Sequence, residues 1–140
     1  MKVAVASDHA GFELKEFLIL NLTEFSIIDL GTYTSESTDY PDYGHKLARE
    51  IESGNVNWGI AICGSGNGIN MTVNKHKGVR GALCWTLEIA KLARAHNNAN
   101  VISLPARFVS YEAALQMVKV FLTTPFEGGR HERRIRKIAD

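Results

Sequence analysis

The chain has 140 residues, 45% of them hydrophobic, with 16 lysines and arginines against 15 acidic residues. That size suits one domain with a continuous core, and the balanced charge excludes a protein that lives by coating nucleic acid or an anionic membrane. No apolar run approaches the ~20 residues that cross a bilayer, and the opening MKVAVASDHAG is interrupted too soon to be a signal peptide. The expectation is a soluble cytoplasmic protein with no nucleic-acid or membrane partner. Cys63 and Cys84 both end apolar runs, which fits reduced thiols better than a disulfide, and no metal-ligand cluster is visible in the spacing.

In chain order, a strand over Val3–Ser7 leads into Asp8, His9 and a helical pattern over Phe12–Leu22. A second strand, Ser26–Leu30, precedes a helix over Tyr43–Ser53. The third, Trp58–Cys63, runs into the stretch CGSGNG and a helix over Ile69–His76. Strands over Val79–Cys84 and Val101–Leu104 flank a helix over Leu87–His96, and a helix over Tyr111–Leu122 follows. The strands are short and almost wholly apolar, as parallel strands covered on both faces are. The fold class expected is therefore α/β, a three-layer α/β/α sandwich around five parallel strands, in a single domain over residues 1–140. The segment TPFEGGRHERRIRKIAD breaks the alternation and predicts a basic helical tail at about 125–140.

Ligands of such sheets bind beyond the carboxyl ends of the strands, near the point where strand order reverses. Asp8 and His9 follow the first strand, the glycine-rich turn follows the third and Arg107 follows the fifth, so three strand ends converge on polar chemistry. The spacing of Gly64, Gly66 and Gly68 is GxGxG, not the dinucleotide GxGxxG, and no GK[ST] makes a Walker loop. A turn of this kind lets backbone N–H groups approach an anion together; a plain tight turn is its structural alternative. Cys63 stands at the amino end of the following helix, a setting that favours the thiolate, whereas Cys84 reads as packing. Each remaining candidate also has a structural reading: Asp8 as a helix cap, His9 as an ordinary surface residue, His96 as a partner for a helix C-terminus, the basic run as a solvated face. Arg130 and Arg134 lie one turn apart and can face one phosphate.

Six ordered segments, SDHAG (7–11), DYPDYG (39–44), ICGSGNG (62–68), HNNAN (96–100), AR (106–107) and FEGGRHERR (126–134), make the chain resemble the type B ribose-5-phosphate isomerases and related sugar-phosphate isomerases over essentially its whole length. The resemblance implies a Rossmann-like sheet, no metal or other cofactor, and homodimers, or dimers of dimers, whose active sites draw on both subunits. It implies a phosphorylated sugar as substrate, with ribose 5-phosphate and ribulose 5-phosphate interconverted in the pentose phosphate pathway. By the same resemblance Cys63 is the base that moves a proton between C2 and C1. Gly64, Gly66, Asn67 and Gly68 offer donors to the developing oxyanion, with the Ser65 hydroxyl beside them. His96, assisted by Asp8, opens the furanose ring, and Asn97 holds the sugar. His9, Arg107, Arg130 and Arg134 hold the 5-phosphate, and Tyr43 lines the pocket. Some relatives use a glutamate directly after the last loop glycine; here that position is Ile69. Two further departures are Asn98, where an aspartate is common, and Pro105, where a glycine is usual and where the missing N–H threatens the backbone that presents Arg107. A six-carbon sugar-phosphate isomerase and a non-catalytic sugar-phosphate or nucleotide sensor on the same fold are the rival readings.

Overall fold

The computed structural model describes residues 1–139. Strands β1 (Lys2–Ser7), β2 (Ser26–Asp29), β3 (Trp58–Cys63), β4 (Gly81–Leu83) and β5 (Val101–Pro105) form one parallel sheet in the order β2-β1-β3-β5-β4. Alternation along the strands divides the core. Val3, Val5, Ile60, Ile62, Ile102 and Leu104 face the helices α1 (Phe12–Asn21), α4 (Leu87–Ala95) and α5 (Tyr111–Thr123). Ala4, Ala6, Ala61 and Cys63 face α2 (Tyr40–Glu52) and α3 (Asn67–Val73). The second face is lined by small side chains, so its helices sit close. A Cβ added to Gly44 of α2 would stand 2.8 Å from Thr72 Cγ2 of α3.

Element boundaries differ from the sequence expectation where a polar group competes with the periodic pattern. Helix α2 starts at Tyr40 instead of Tyr43, because Asp39 takes the N-cap position and Pro41 suits the first turn. Helix α3 spans Asn67–Val73 and not Ile69–His76; it ends where the Asn74 side chain turns aside to bond Gly81 through both N–H and C=O. Strand β4 keeps only Gly81–Leu83, because the Arg80 N–H donates to the Asn100 side chain. In the basic tail, only Arg130–Arg136 (α6) is α-helical, followed by a 3-10 turn over Lys137–Ala139. Asp140 lies outside the described residues.

The order of the strands brings β1, β3 and β5 side by side, and their register levels the carboxyl ends. Ser7 pairs with Ile62, and Cys63 with Pro105. Pro105 donates nothing, yet the ladder passes over it: Ala106 N–H donates to Cys63 C=O and Arg107 N–H to Gly64 C=O, both at 3.0 Å. The backbone before Arg107 is therefore held in spite of the proline.

Gly66, the N-cap of α3, has φ +76°, and a Cβ there would stand 2.5 Å from Leu83 Cδ1 and 3.1 Å from the Leu104 carbonyl carbon. Gly54 has a comparable φ of +81° with nothing within 4 Å. Gly54→Ala should cost about 1–2 kcal/mol, the usual penalty for a side chain in left-handed backbone. Gly66→Ala should cost roughly 1–3 kcal/mol more, from overpacking. Urea denaturation of the two variants measures the difference, and equal midpoints would mean that the turn after β3 is not packed as described.

Candidate active site

A cavity of about 490 Å³ opens at the levelled strand ends, walled by Asp8, Tyr40, Cys63, Gly64, Ser65, Gly68, Arg107 and Phe108. Asp8 Oδ1 accepts the Ala10 and Gly11 N–H groups at 3.0 and 3.2 Å, so the capping role read from the sequence holds, and it uses only one carboxylate oxygen. Cys63 is the last residue of β3 and 4% exposed. The Ser65 hydroxyl accepts from Asn67 N–H at 3.3 Å, while the first turn of α3 otherwise has N–H groups with no helical carbonyl to bond. Gly68 admits the ring of Tyr40, which would stand 2.5 Å from a Cβ at that position, and Arg107 Nη1 would stand 3.0 Å from a Cβ on Gly64. The Thr38 N–H donates to His9 Nδ1 at 3.1 Å. The same Nδ1 lies 3.2 Å from the Thr38 carbonyl oxygen, so Thr38 holds the ring in place through its backbone.

Not every expected residue reaches this cavity. Tyr43 does not wall it: the ring packs against the core beneath α2 and the Gly31 backbone, and the wall tyrosine is Tyr40, three residues earlier. Gly66 and Asn67 belong to the loop but not to the walls. His9, His96, Asn97, Arg130 and Arg134 also lie outside them. His96 is the C-cap of α4, and its ring stacks on His131 of α6 with centroids 4.1 Å apart and planes 13° from parallel. Glu127 stands over both, its Oε1 3.8 Å from His96 Nε2 and 3.6 Å from His131 Nε2. Asn97 is exposed, as are Arg130 and Arg134 one turn apart on α6. The chain thus presents two polar centres, one around Cys63 and one around His96.

The family model described as Ribose/Galactose Isomerase matches residues 3–138. The chain belongs to that family. It is 41% identical over 139 residues to the ribose-5-phosphate isomerase B of Escherichia coli K12, a match covering 98% of this chain and 93% of that one. Among solved structures, a ribose 5-phosphate isomerase from Thermotoga maritima is 50% identical with a TM-score of 0.96, covering 99% and 97% of the two chains. The ribose-5-phosphate isomerase B of Mycoplasma genitalium, solved with bound ribulose 5-phosphate, is 42% identical with a TM-score of 0.92, covering 99% and 93%.

In this ribose/galactose isomerase, the departures from the family's motifs have local explanations. Ile69, where some relatives carry a glutamate, is fully buried in the core beneath α2 and α3, a place that disfavours an ionised carboxylate. Asn98 adopts φ +47°, which asparagine tolerates well, and its side-chain oxygen accepts from Arg94 at 2.8 Å. Arg94, 6% exposed, also donates to the carbonyls of Ala99 and Thr124, and its guanidinium lies 4.2 Å over the Trp58 ring. It ties the His96 turn to the chain leaving α5, a role that no sequence pattern signalled. Burial pushes the Cys84 thiol up to about 12, in keeping with a packing residue. Among the described residues, no helix is long and apolar enough to cross a membrane.

His131 also escaped the sequence reading; its one signal was the i, i+4 spacing from Glu127. Burial first, then the charges of His96 and Arg130, hold its pKa below the ordinary 6.5; Arg134 adds to this and Glu127 opposes it. Below pH 6.5 the unfolded chain therefore binds more protons at this residue than the folded one, and stability falls as the pH drops through that value. His131→Gln should flatten this part of the profile, seen as a smaller loss of Tm between pH 7 and pH 5. A slope equal to wild type would remove His131 as a source of acid lability.

Proposed function

We propose that this isomerase interconverts ribose 5-phosphate and ribulose 5-phosphate, with Cys63 as the base that carries a proton between C2 and C1 through an enediolate. The observation that carries the proposal is the meeting of Asp8, Cys63 and Arg107 around the 64–68 turn at the ends of adjacent strands, in a chain whose relative from Mycoplasma genitalium was solved with ribulose 5-phosphate. The cavity walls hold one thiol and one carboxylate, and that carboxylate is partly committed to capping. Backbone N–H groups of the turn face the developing enediolate oxygen, where each such donor is worth roughly 3–4 kcal/mol in acyl-transfer enzymes. Arg107 and His9 hold the phosphate from this side, and Tyr40 takes the wall position first expected of Tyr43. Anchoring the phosphate fixes C1 and C2 against the thiol. The active form is cytoplasmic, consistent with two unpaired cysteines.

Ring opening falls to His96, with Asp8 assisting, Asn97 holding the sugar, and Arg130 and Arg134 completing the phosphate clamp. These groups stand outside the Cys63 cavity of their own chain, and a homodimer in which each subunit lends its His96 centre to its partner's cavity resolves the separation. Exposed Met71, Trp85 and Leu87 supply apolar surface for such a contact.

Assayed against pentose and hexose phosphates, the chain should turn over ribose 5-phosphate best. Cys63→Ala should abolish that turnover together with solvent-hydrogen exchange at the transferred carbon, while a phosphorylated inhibitor still binds. Preference for a six-carbon substrate would overturn the substrate assignment, and near-normal turnover by Cys63→Ala would remove the thiolate base.

Shared sites have their own test. Cys63→Ala chains, inactive toward ribose 5-phosphate, and His96→Asn chains, whose rate on that sugar is capped by spontaneous ring opening as enzyme is added, should recover part of the wild-type rate when mixed. No recovery after subunit exchange has been demonstrated would sink the shared-site arrangement.

A further inference from the structure

We propose that His96, Glu127 and His131 form a binding site for one divalent transition-metal ion of the Zn²⁺ class. Their donor atoms, one from each side chain, all lie within 4.8 Å of one another. Both imidazole Nε2 atoms face the same carboxylate oxygen, at 3.8 and 3.6 Å. The Glu127 N–H donates to the Ala95 carbonyl at 3.0 Å, which pins the acidic residue beside the end of α4.

A second observation points to a ligand. His131 is 6% exposed, and its Nε2 is buried with no hydrogen-bond partner among the described residues. A buried ring nitrogen left unpaired is costly; one aimed at a carboxylate and a second imidazole is relieved by an ion held between them. The access side stays open, since the Glu127 and His96 side chains are 58% and 37% exposed, leaving room for water as the remaining ligand.

The donor set selects the ion. Two imidazoles and one carboxylate suit Zn²⁺, Co²⁺ or Ni²⁺, whereas Mg²⁺ and Ca²⁺ seek all-oxygen shells. Bonds of about 2.0–2.2 Å in a tetrahedron place ligand atoms roughly 3.3–3.6 Å apart, so the two carboxylate distances need little change. The rings must splay from their parallel stack until their lone pairs converge. Burial and then the charges of His96, Arg130 and Arg134 favour the neutral His131 ring that a ligand must present, against the opposing pull of Glu127. The charges of Arg130 and Arg134, which disfavour positive charge at His131, also oppose a dication and weaken its binding. Metal binding stands apart from the isomerase proposal; only its consequence rests on that reading, because an ion on His96 occupies the side chain assigned to ring opening.

The test titrates metal-free intact protein with ZnCl₂ by calorimetry and with CoCl₂ by visible absorption. One ion per chain is expected, weakened about 10-fold or more by Glu127→Gln and by His131→Gln. His76→Gln, which breaks a second histidine pair in which His45 Nδ1 lies 2.7 Å from His76 Nε2, and Cys63→Ser, which removes the cavity thiol, should retain it. Glu127 is exposed, so Glu127→Gln keeps the fold and the test decides even if His131→Gln does not. Wild-type affinity in Glu127→Gln, no binding at millimolar metal, or loss confined to His76→Gln or Cys63→Ser would each overturn the site. Isomerase assays run in chelator report on the proposed reaction separately.

Discussion

The ladder that runs from Ser7 through Ile62 and Cys63 to Pro105 is the constraint on which the rest of the molecule depends. Because β5 inserts between β3 and β4, three strands that are distant in sequence finish at one level, and the residues just past them are delivered to one place without any loop having to reach. The hydrogen bonds from Ala106 and Arg107 to Cys63 and Gly64 carry the ladder beyond the sheet proper. They make the glycine turn and the Arg107 turn one rigid unit. Cys63 pairs with Pro105 of β5 and directly follows Ile62, which pairs with Ser7 of β1, and this limits its backbone to the small motions of the sheet.

A different device holds the His96 centre. Here the chain has no ladder, and order comes from one buried guanidinium whose donors reach the Asn98 side chain and the carbonyls of Ala99 and Thr124 while its face covers Trp58. Planar geometry with several fixed donors is what arginine offers and lysine does not. The turn carrying His96 and the segment approaching Glu127 are both tied to Arg94, so the parts of the His96 centre are held together.

Much of this was legible from residue patterns. Short apolar strands alternating with helical spacing specified a parallel sheet, and the rule that chemistry gathers beyond its carboxyl ends selected Asp8, Cys63 and Arg107. What stayed hidden was contact across long sequence separations. Nothing local distinguishes Tyr40 from Tyr43, since both lie in the DYPDY stretch; the choice depends on where α2 begins, and that was set by Asp39 and Pro41. His131 looked like one more residue of a basic run, and only the stacking of α6 against the end of α4 gives it His96 as a neighbour. Arg94 sits in an amphipathic helix, where an arginine ordinarily faces water, and its burial follows from the aromatic rings of Trp58 and Phe121 beneath it.

The two faces of the sheet differ in the size of the side chains they bury, and this sets how the sequence can drift. On the face toward α1, α4 and α5, large aliphatic groups interdigitate with Phe121 and Met117, so one residue can shrink while a neighbour grows, and pairs of compensating changes remain open. On the other face, Ala4, Ala6 and Ala61 lie directly under α2 and α3, and any enlargement must push a whole helix. Cys63 belongs to that second face. Divergence in this lineage is therefore channelled away from the layer that carries the thiol, and the position beside the glycine turn is kept small by packing as well as by chemistry.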